Sequence, residues 1–275
     1  MHSPPRQPRP GTPRPGWARL LAALLLAPLA GCGPFTLTGE AGLARLSFAG
    51  DASYTLGPDL TNRGWNPANR VARDFGLDDP AALPYLRLAG SLGFLDFTAS
   101  AYRLENSGSG RLIADFGSLS RGQQVESEIA LTNLRGALYP FDLADLVALG
   151  PFSLQPGIGL DLFDLEIEAE GSGVEERIDA YAPLPVAALR AKAGWGDFEA
   201  VLEGGFMHLS GDFSRDFQGT FLDLEGLVRY RPTPGLTLFA GWRRTTFDGE
   251  GESGRDAYRM DFAVEGWILG LGLRF

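Results

Sequence analysis

The sequence predicts an all-β fold, a closed antiparallel up-and-down transmembrane β-barrel of ten strands, with eight strands as the alternative count. Residues 267–275 alternate between large apolar side chains and small or charged ones, which is the period of two expected of a strand with one face toward lipid. Ten stretches fit strands, and their links alternate between short and long. After residue 31, no stretch reaches the 18 or more apolar residues of a membrane-spanning helix. Together these observations favour a barrel over a helical membrane protein.

Residues 1–31 are typical of a secretory signal peptide. Four arginines and no acidic residue precede the apolar run 20–29, which at about ten residues is too short to span a bilayer. Residues 29–32, Leu-Ala-Gly-Cys, resemble the bacterial lipobox, which implies that Cys32 receives a diacylglycerol and begins the mature chain. The alternative is an ordinary signal peptide followed by a chance cysteine. The predicted organisation is a lipoprotein signal peptide at 1–31, a linker at 32–41 and an outer-membrane barrel at 42–275.

Removal of the signal peptide makes the chain more acidic. The full chain has 24 basic and 34 acidic residues, and residues 1–31 contain four of the basic ones and none of the acidic ones, so the mature net charge is −14. This balance argues against nucleic acid as a partner, since a phosphate backbone attracts the opposite charge. Cys32 is the only cysteine in the sequence, which excludes a disulfide within the chain.

The predicted strands follow one another along the chain with unequal links. The strands are placed near 42–56, 85–94, 96–105, 125–138, 152–168, 180–195, 197–210, 219–231, 236–247 and 258–275. The odd-numbered links are the longer ones, at 57–84, 106–124, 169–179, 211–218 and 248–257. The other links are short turns, except for 139–151. Outer-membrane barrels show this asymmetry, and an even strand count brings both termini to one side, predicted to be the periplasm.

Seven of the strands have one continuous apolar face, which we predict to face outward. In chain order, these residues are Ala44, Leu46, Phe48, Ala52 and Tyr54 in the first strand, Leu86, Leu88, Leu92 and Phe94 in the second, Leu189, Ala191, Ala193 and Trp195 in the sixth, Phe198, Ala200, Leu202 and Phe206 in the seventh, Leu222, Leu224, Val228 and Tyr230 in the eighth, Leu236, Leu238 and Trp242 in the ninth, and Trp267, Leu269, Leu271, Leu273 and Phe275 in the tenth.

The third, fourth and fifth strands break this pattern. Arg103 shares the apolar face of the third strand, and the fourth strand mixes Ile129 with Arg135 on one face. The fifth strand changes parity after Leu162, where acidic residues take over the apolar face. Either β-bulges or the exit of the strands from the membrane would explain these breaks.

The faces opposite the apolar ones predict a charged lumen. Each Arg or Lys at the lipid midplane would cost about 2–4 kcal/mol. Inside a narrow barrel, acidic and basic side chains can instead neutralise one another through charge-assisted hydrogen bonds. The sequence therefore predicts a plugged interior rather than an open pore. The predicted lumen residues are Arg45, Asp51, Arg87, Asp161, Arg190, Lys192, Glu199, Glu203, Asp223, Glu225, Arg229, Arg243 and Arg274.

The inverse arrangement is the main alternative. Alternation alone does not say which face is outside, so a soluble lipid-anchored barrel with an apolar interior would show the same period. Glycines on the polar face, aromatic residues at the edges of the apolar band and the terminal Phe275 favour the membrane barrel.

Several segments carry a family resemblance, and they lie at 139–142, 182–186, 229–235, 241–243 and 266–275. Together they resemble a family of small proteobacterial outer-membrane β-barrel proteins of unassigned function, although a lipobox departs from that family's usual cleaved signal. A last strand ending in Phe275 also resembles the signal read by the barrel-insertion machinery. The resemblance implies a bacterial outer-membrane location, with this machinery, membrane lipid and lipopolysaccharide as partners.

One pair of side chains is a candidate for catalysis. His208 and Ser210 share one strand face at its outer end, and lipid-cleaving outer-membrane enzymes resemble this arrangement, in which a histidine activates a serine. Asp212 could orient the imidazole, because the parity of Asp223 points it inside. The other interpretation is a histidine of the aromatic girdle beside a serine at a loop edge.

No metal or cofactor site is predicted. The carboxylates at 248–256 lack the EF-hand pattern, since Ser253 and Arg259 stand where Gly and Glu are required. The expected function is therefore that of a non-enzymatic envelope protein with a structural or surface-interaction role. The alternatives are an acyl hydrolase that uses His208 and Ser210, a soluble anchored barrel that binds an apolar ligand, and a small-solute channel.

Overall fold

The fold consists almost entirely of long β-strands. A computed structural model describes residues 35–55, 68–144, 151–209, 217–253 and 256–275. Among the described residues, no helix is long and apolar enough to cross a bilayer. The elements are β1 (Phe35–Thr55), β2 (Asn69–Arg70), α1 (Val71–Asp74), β3 (Ala81–Leu92), β4 (Leu95–Arg111), β5 (Gln124–Tyr139), β6 (Phe152–Gly171), β7 (Val174–Trp195), β8 (Phe198–Leu209), β9 (Phe217–Thr233), β10 (Leu236–Ser253) and β11 (Asp256–Arg274).

Ten of these strands close into one antiparallel barrel. Each strand from β3 to β11 pairs with its neighbour in the chain, and β1 pairs with both β3 and β11. The closing register runs from Thr38 opposite Arg274 to Thr55 opposite Ala257. The two-residue β2 is not part of this closed ring of strands, and it pairs only with Asp51 and Ala52 near the end of β1. The predicted closed barrel of ten antiparallel strands is confirmed.

The links between strands agree with the prediction at one end of the barrel and differ from it at the other. The end that contains Phe35 and Phe275, here called the terminus end, has the expected tight turns. At the opposite or distal end, the predicted long link 169–179 is wrong, because β6 and β7 continue to a two-residue turn. Ser172 and Gly173 both have positive φ, 52° and 77°, as a type I′ hairpin turn requires. The link predicted at 248–257 is likewise mostly strand, since β10 and β11 pair as far as Ser253 opposite Asp256.

The outer face changes from apolar to polar part of the way along the strands. On β11, Trp267 is 72% exposed, and the next outward residue is Glu265. On β6, Leu162 is followed on the same face by Asp164. We call the outward residues on the terminus side of this change the apolar band. Its last members on nine strands are Leu43, Ala101, Leu134, Leu162, Tyr181, Phe206, Leu222, Trp242 and Trp267.

The inner face changes in the opposite sense. On the terminus side it carries charged side chains, whereas on the distal side it carries aromatic and aliphatic ones. Phe163, Phe247 and Phe262 stack there, with ring centroids 5.3 to 5.8 Å apart. We call the distal set the apolar core, formed by Leu46, Phe48, Leu104, Ile129, Leu131, Phe163, Leu165, Ile167, Met207, Phe221, Phe247, Met260, Phe262 and Val264.

A change in side-chain chemistry, and not a bulge, explains the parity break in β6. The register between β5 and β6 runs unbroken through it, from Leu134 opposite Leu162 to Thr132 opposite Asp164. Strands rise about 3.3 Å per residue and tilt by about 40°, so residues 152–162 span about 28 Å of height. Residues 163–171 add about 23 Å beyond the apolar band by the same geometry. The barrel is thus divided into two zones of opposite polarity.

The outward assignment of the first strand is wrong. Phe48 is 3% exposed and, like Ala44, Leu46, Ala52 and Tyr54, it points inward. The reason is that this part of β1 lies in the distal zone, where apolar side chains face in. The residues of β1 in the apolar band are Leu37, Ala41 and Leu43, and the first two lie within the segment 32–41 that was predicted to be a linker.

Two segments cover the distal end of the apolar core. Residues 68–80 and 112–123 are joined through Asn69, whose Oδ1 accepts from the backbone N–H of Ile113 and of Ala114, both at 3.0 Å. Phe75 and Phe116 pack edge to face, with centroids 5.0 Å apart. The core therefore continues into these segments.

Candidate functional site: a buried ion-pair plug

Arg87 on β3 is the centre of a charged layer inside the terminus half. Its Nη1 lies 3.0 Å from Glu40, its Nη2 2.7 Å from Glu203 and its Nε 3.0 Å from Glu225. These carboxylates belong to β1, β8 and β9, and β3 and β8 lie on opposite walls of the barrel. One guanidinium therefore links both walls through charge-assisted hydrogen bonds.

Asp223 on β9 forms a second centre. Arg243 donates two hydrogen bonds to the Asp223 carboxylate, from Nε at 3.1 Å and from Nη2 at 2.7 Å. Arg135 donates a third from its Nη1, at 2.7 Å. Thr245 donates its hydroxyl to the same carboxylate at 2.8 Å. Arg243 also reaches Glu225 at 3.3 Å, so the two centres form one network.

Further pairs extend the network toward the terminus end. Arg229 binds Glu40 at 2.6 Å and Glu199 at 2.8 Å. On the other side, Asp96 accepts from Arg190 and, at 3.1 Å, from Lys192.

The charges of this layer balance. We call it the ion-pair plug, and it contains seven basic and seven acidic side chains. They are Arg87, Arg135, Arg190, Lys192, Arg229, Arg231 and Arg243, with Glu40, Asp96, Asp161, Glu199, Glu203, Asp223 and Glu225. Since buried charges require partners, this balance is what allows the layer to exist in a barrel interior.

Ten of the thirteen predicted lumen residues lie in the plug. The prediction needs correction for Arg45 and Asp51, which are exposed on the outer face of β1 beyond the apolar band, because the polarity of both faces is reversed there. Arg274 is exposed at the terminus end. The sequence prediction missed Glu40, Asp96, Arg135 and Arg231. Arg135 could have been found from the sequence, because it shares one face of its strand with the polar Asn133.

The candidate catalytic pair is only partly described. His208 is exposed on the outer face, and its Nδ1 lies 3.0 Å from the hydroxyl of Thr220. Asp223 lies on the inner face in the plug. Ser210, Asp212 and Cys32 fall outside the described residues. In the described part of the chain, no group of three or more Asp, Glu, His or Cys has the arrangement of a metal site.

Beyond the apolar band, the outer face of β5 and β6 is strongly acidic. Glu126 lies directly opposite Glu170, and Glu128 opposite Glu168. These four side chains, with serines of β4, line an open groove of about 510 Å³. Burial, together with the nearby negative charge of Glu175, raises the pKa of the Glu168 carboxyl. This surface attracts cations rather than anions.

Comparison with known proteins identifies the fold. No family model and no curated protein matches the sequence. The outer-membrane protease OmpT of Escherichia coli aligns with a TM-score of 0.56 and 10% identity, over 87% of this chain and 97% of that chain. OprG of Pseudomonas aeruginosa (TM-score 0.34, 11% identity, 88% and 96% coverage) and Ail of Yersinia pestis (0.34, 12%, 87% and 98%) also align. The likeness to OmpT shows that this chain has the fold of an outer-membrane β-barrel protein.

Proposed function

We propose that this protein is a non-conducting β-barrel of a bacterial outer membrane with a structural or surface-interaction role in the envelope. The observation that carries the proposal is the interior, where ion pairs join opposite walls and a packed apolar core lies beyond them. To pass through the lumen, a solute would have to break the three ion pairs of Arg87 and then displace the stacked phenylalanines of the apolar core. No enzymatic step is needed to explain such an interior.

The apolar band supports the membrane location. Its height of about 28 Å is close to the roughly 25 Å of apolar surface in outer-membrane barrels. Phe198 and Tyr230 stack on the outside near the short turns, with centroids 4.9 Å apart, as expected of an interfacial aromatic girdle. A soluble barrel would instead leave Trp267 and Leu269 in water, at more than two thirds exposure each.

The proposed orientation places the termini in the periplasm. The terminus end has the tight turns, and the distal zone continues for about 23 Å beyond the band on β6, as outer-membrane barrels do on their outside. A lipid on Cys32 would then enter the inner leaflet of the same membrane. The acidic outer face of β5 and β6 would stand above the membrane, where it supports a surface-interaction role.

Conductance in planar bilayers tests the proposal. We expect the purified, folded protein to give no discrete current steps, because the plug and the core both block the lumen. A porin inserted under the same conditions is the control for the assay, and heat-modifiable migration in a detergent gel is the control for folding. Reproducible single-channel steps from the folded protein would contradict the proposal and favour the small-solute channel.

A further inference from the structure

Where the plug meets the apolar core, five buried polar atoms have no hydrogen-bond partner among the described residues. They are both carboxylate oxygens of Asp161, the side-chain nitrogen of Asn133, and Nε and Nη2 of Arg135. Asp161 and Asn133 are each 0% exposed, and Arg135 is 3% exposed. Such atoms are rare in folded proteins, and each one requires a physical explanation.

The five atoms belong to neighbouring positions on two strands. Arg135 on β5 and Asp161 on β6 are direct cross-strand partners, and Asn133 is the next inward residue of β5. Arg135 turns its Nη1 to Asp223, at 2.7 Å, and leaves its other donors unused. Asn133 is the amide donor that faces Asp161, yet the two side chains form no hydrogen bond of normal distance and angle. Unused donors and unused acceptors therefore lie at neighbouring positions without a hydrogen bond of normal geometry between them.

The chemistry of these atoms defines what fits between them. The Asp161 carboxylate needs donors, whereas Arg135 and Asn133 need acceptors, so a ligand must both donate and accept. A metal cation could not accept from Arg135, and an anion without a proton could not donate to Asp161. Water meets both requirements, and a buried water typically makes about three hydrogen bonds to otherwise unpaired polar groups.

We propose that Asn133, Arg135 and Asp161 form a buried hydration site that holds at least one water molecule. The water accepts hydrogen bonds from Arg135 and Asn133 and donates to Asp161. It thereby joins β6 to the plug, in which Asp161 is the one acidic member without a direct ion pair among the described residues. This inference goes beyond the proposed function and does not depend on it.

A crystal structure of the wild-type protein at a resolution that shows ordered water tests the site directly. We expect a density peak within about 3 Å of an Asp161 oxygen and of a nitrogen of Arg135 or Asn133. Direct contact of Asp161 with either residue and no such peak would overturn the proposal. A peak surrounded only by oxygen ligands at cation distances would overturn it as well.

A second measurement addresses the ionisation of Asp161. In infrared difference spectra between wild type and Asp161→Asn at neutral pH, we expect a missing carboxylate band and no missing carboxylic-acid band. Loss of a carboxylic-acid band would mean that Asp161 is protonated in the wild-type protein. That result would contradict a water molecule that donates to an Asp161 carboxylate. Asp161→Asn should also lower the denaturation midpoint more than Asp248→Asn, which removes an exposed carboxylate from the outer face of β10.

Discussion

Replacement of Arg87 by leucine is expected to cause the largest loss of stability of any single change in the plug. Glu40, Glu203 and Glu225 would then remain buried without the guanidinium that they share. Removal of one partner from a buried ion pair typically costs about 3–5 kcal/mol, because the other charge stays desolvated. Urea unfolding of the protein in lipid vesicles, followed by tryptophan fluorescence, measures the free energy of unfolding.

Arg244→Leu is the matched control for that substitution. Arg244 pairs with Glu265 at 3.5 Å on the outer face of the distal zone, and both side chains are exposed. Pairs of this kind contribute about 0–1 kcal/mol. Arg87→Lys should fall between wild type and Arg87→Leu, since an ammonium retains the charge but not the fork geometry. If Arg87→Leu were no more destabilising than Arg244→Leu, the plug would not be a structural element.

Replacement of Phe163 by alanine is expected to have the second-largest effect. Phe163 lies on the inner face of β6, fully buried, and stacks on Phe247 and Phe262. A Phe→Ala change in a packed core costs about 3–5 kcal/mol, through lost burial and the cavity left behind. The same unfolding experiment measures this loss.

Phe206→Ala provides a control of the same residue type. Phe206 lies on the outer face of β8 at the edge of the apolar band and is half exposed. Its loss leaves no cavity in the barrel interior, so a smaller effect is expected. Equal effects of the two substitutions would show that the distal interior is not a packed core.

The strand positions could be predicted from sequence because the period of two is local. Residues 267–275 place one face outward without reference to any other strand, and that assignment agrees with the exposure of Trp267 and Leu271. The parity break after Leu162 was also visible in the sequence. Its cause needed the unbroken register between β5 and β6.

The direction of a face could not be predicted where the polarity of the surroundings reverses. Phe48 and Leu269 both sit on clean apolar faces, yet Phe48 points in and Leu269 points out. The two positions differ only in their height along the barrel axis. The alternation within one strand does not indicate this height. For the same reason, residues 169–179 were predicted to be a loop, although all but the turn at Ser172 and Gly173 continue two strands beyond the band.

The contacts of the plug were the least predictable part. Arg87 meets Glu40, Glu203 and Glu225 across separations of 47, 116 and 138 residues. The sequence indicates that such charges share a lumen, but only closure of the barrel decides which of them meet. Asp96 was missed because it lies at the start of β4 beside a turn, where parity is a weak guide.

The barrel reverses its polarity at one level, and spin labels along the outer face of β6 test this reversal most directly. In a Cys32→Ser background, single cysteines at 158, 160, 162, 164, 166 and 168 would be labelled in lipid vesicles, and the collision rates with oxygen and with a water-soluble nickel complex compared. The two-zone barrel predicts that oxygen dominates through Leu162 and that the nickel complex dominates from Asp164 onward. Oxygen dominance that continues to Glu168, or nickel dominance that already begins at Ile158, would contradict it.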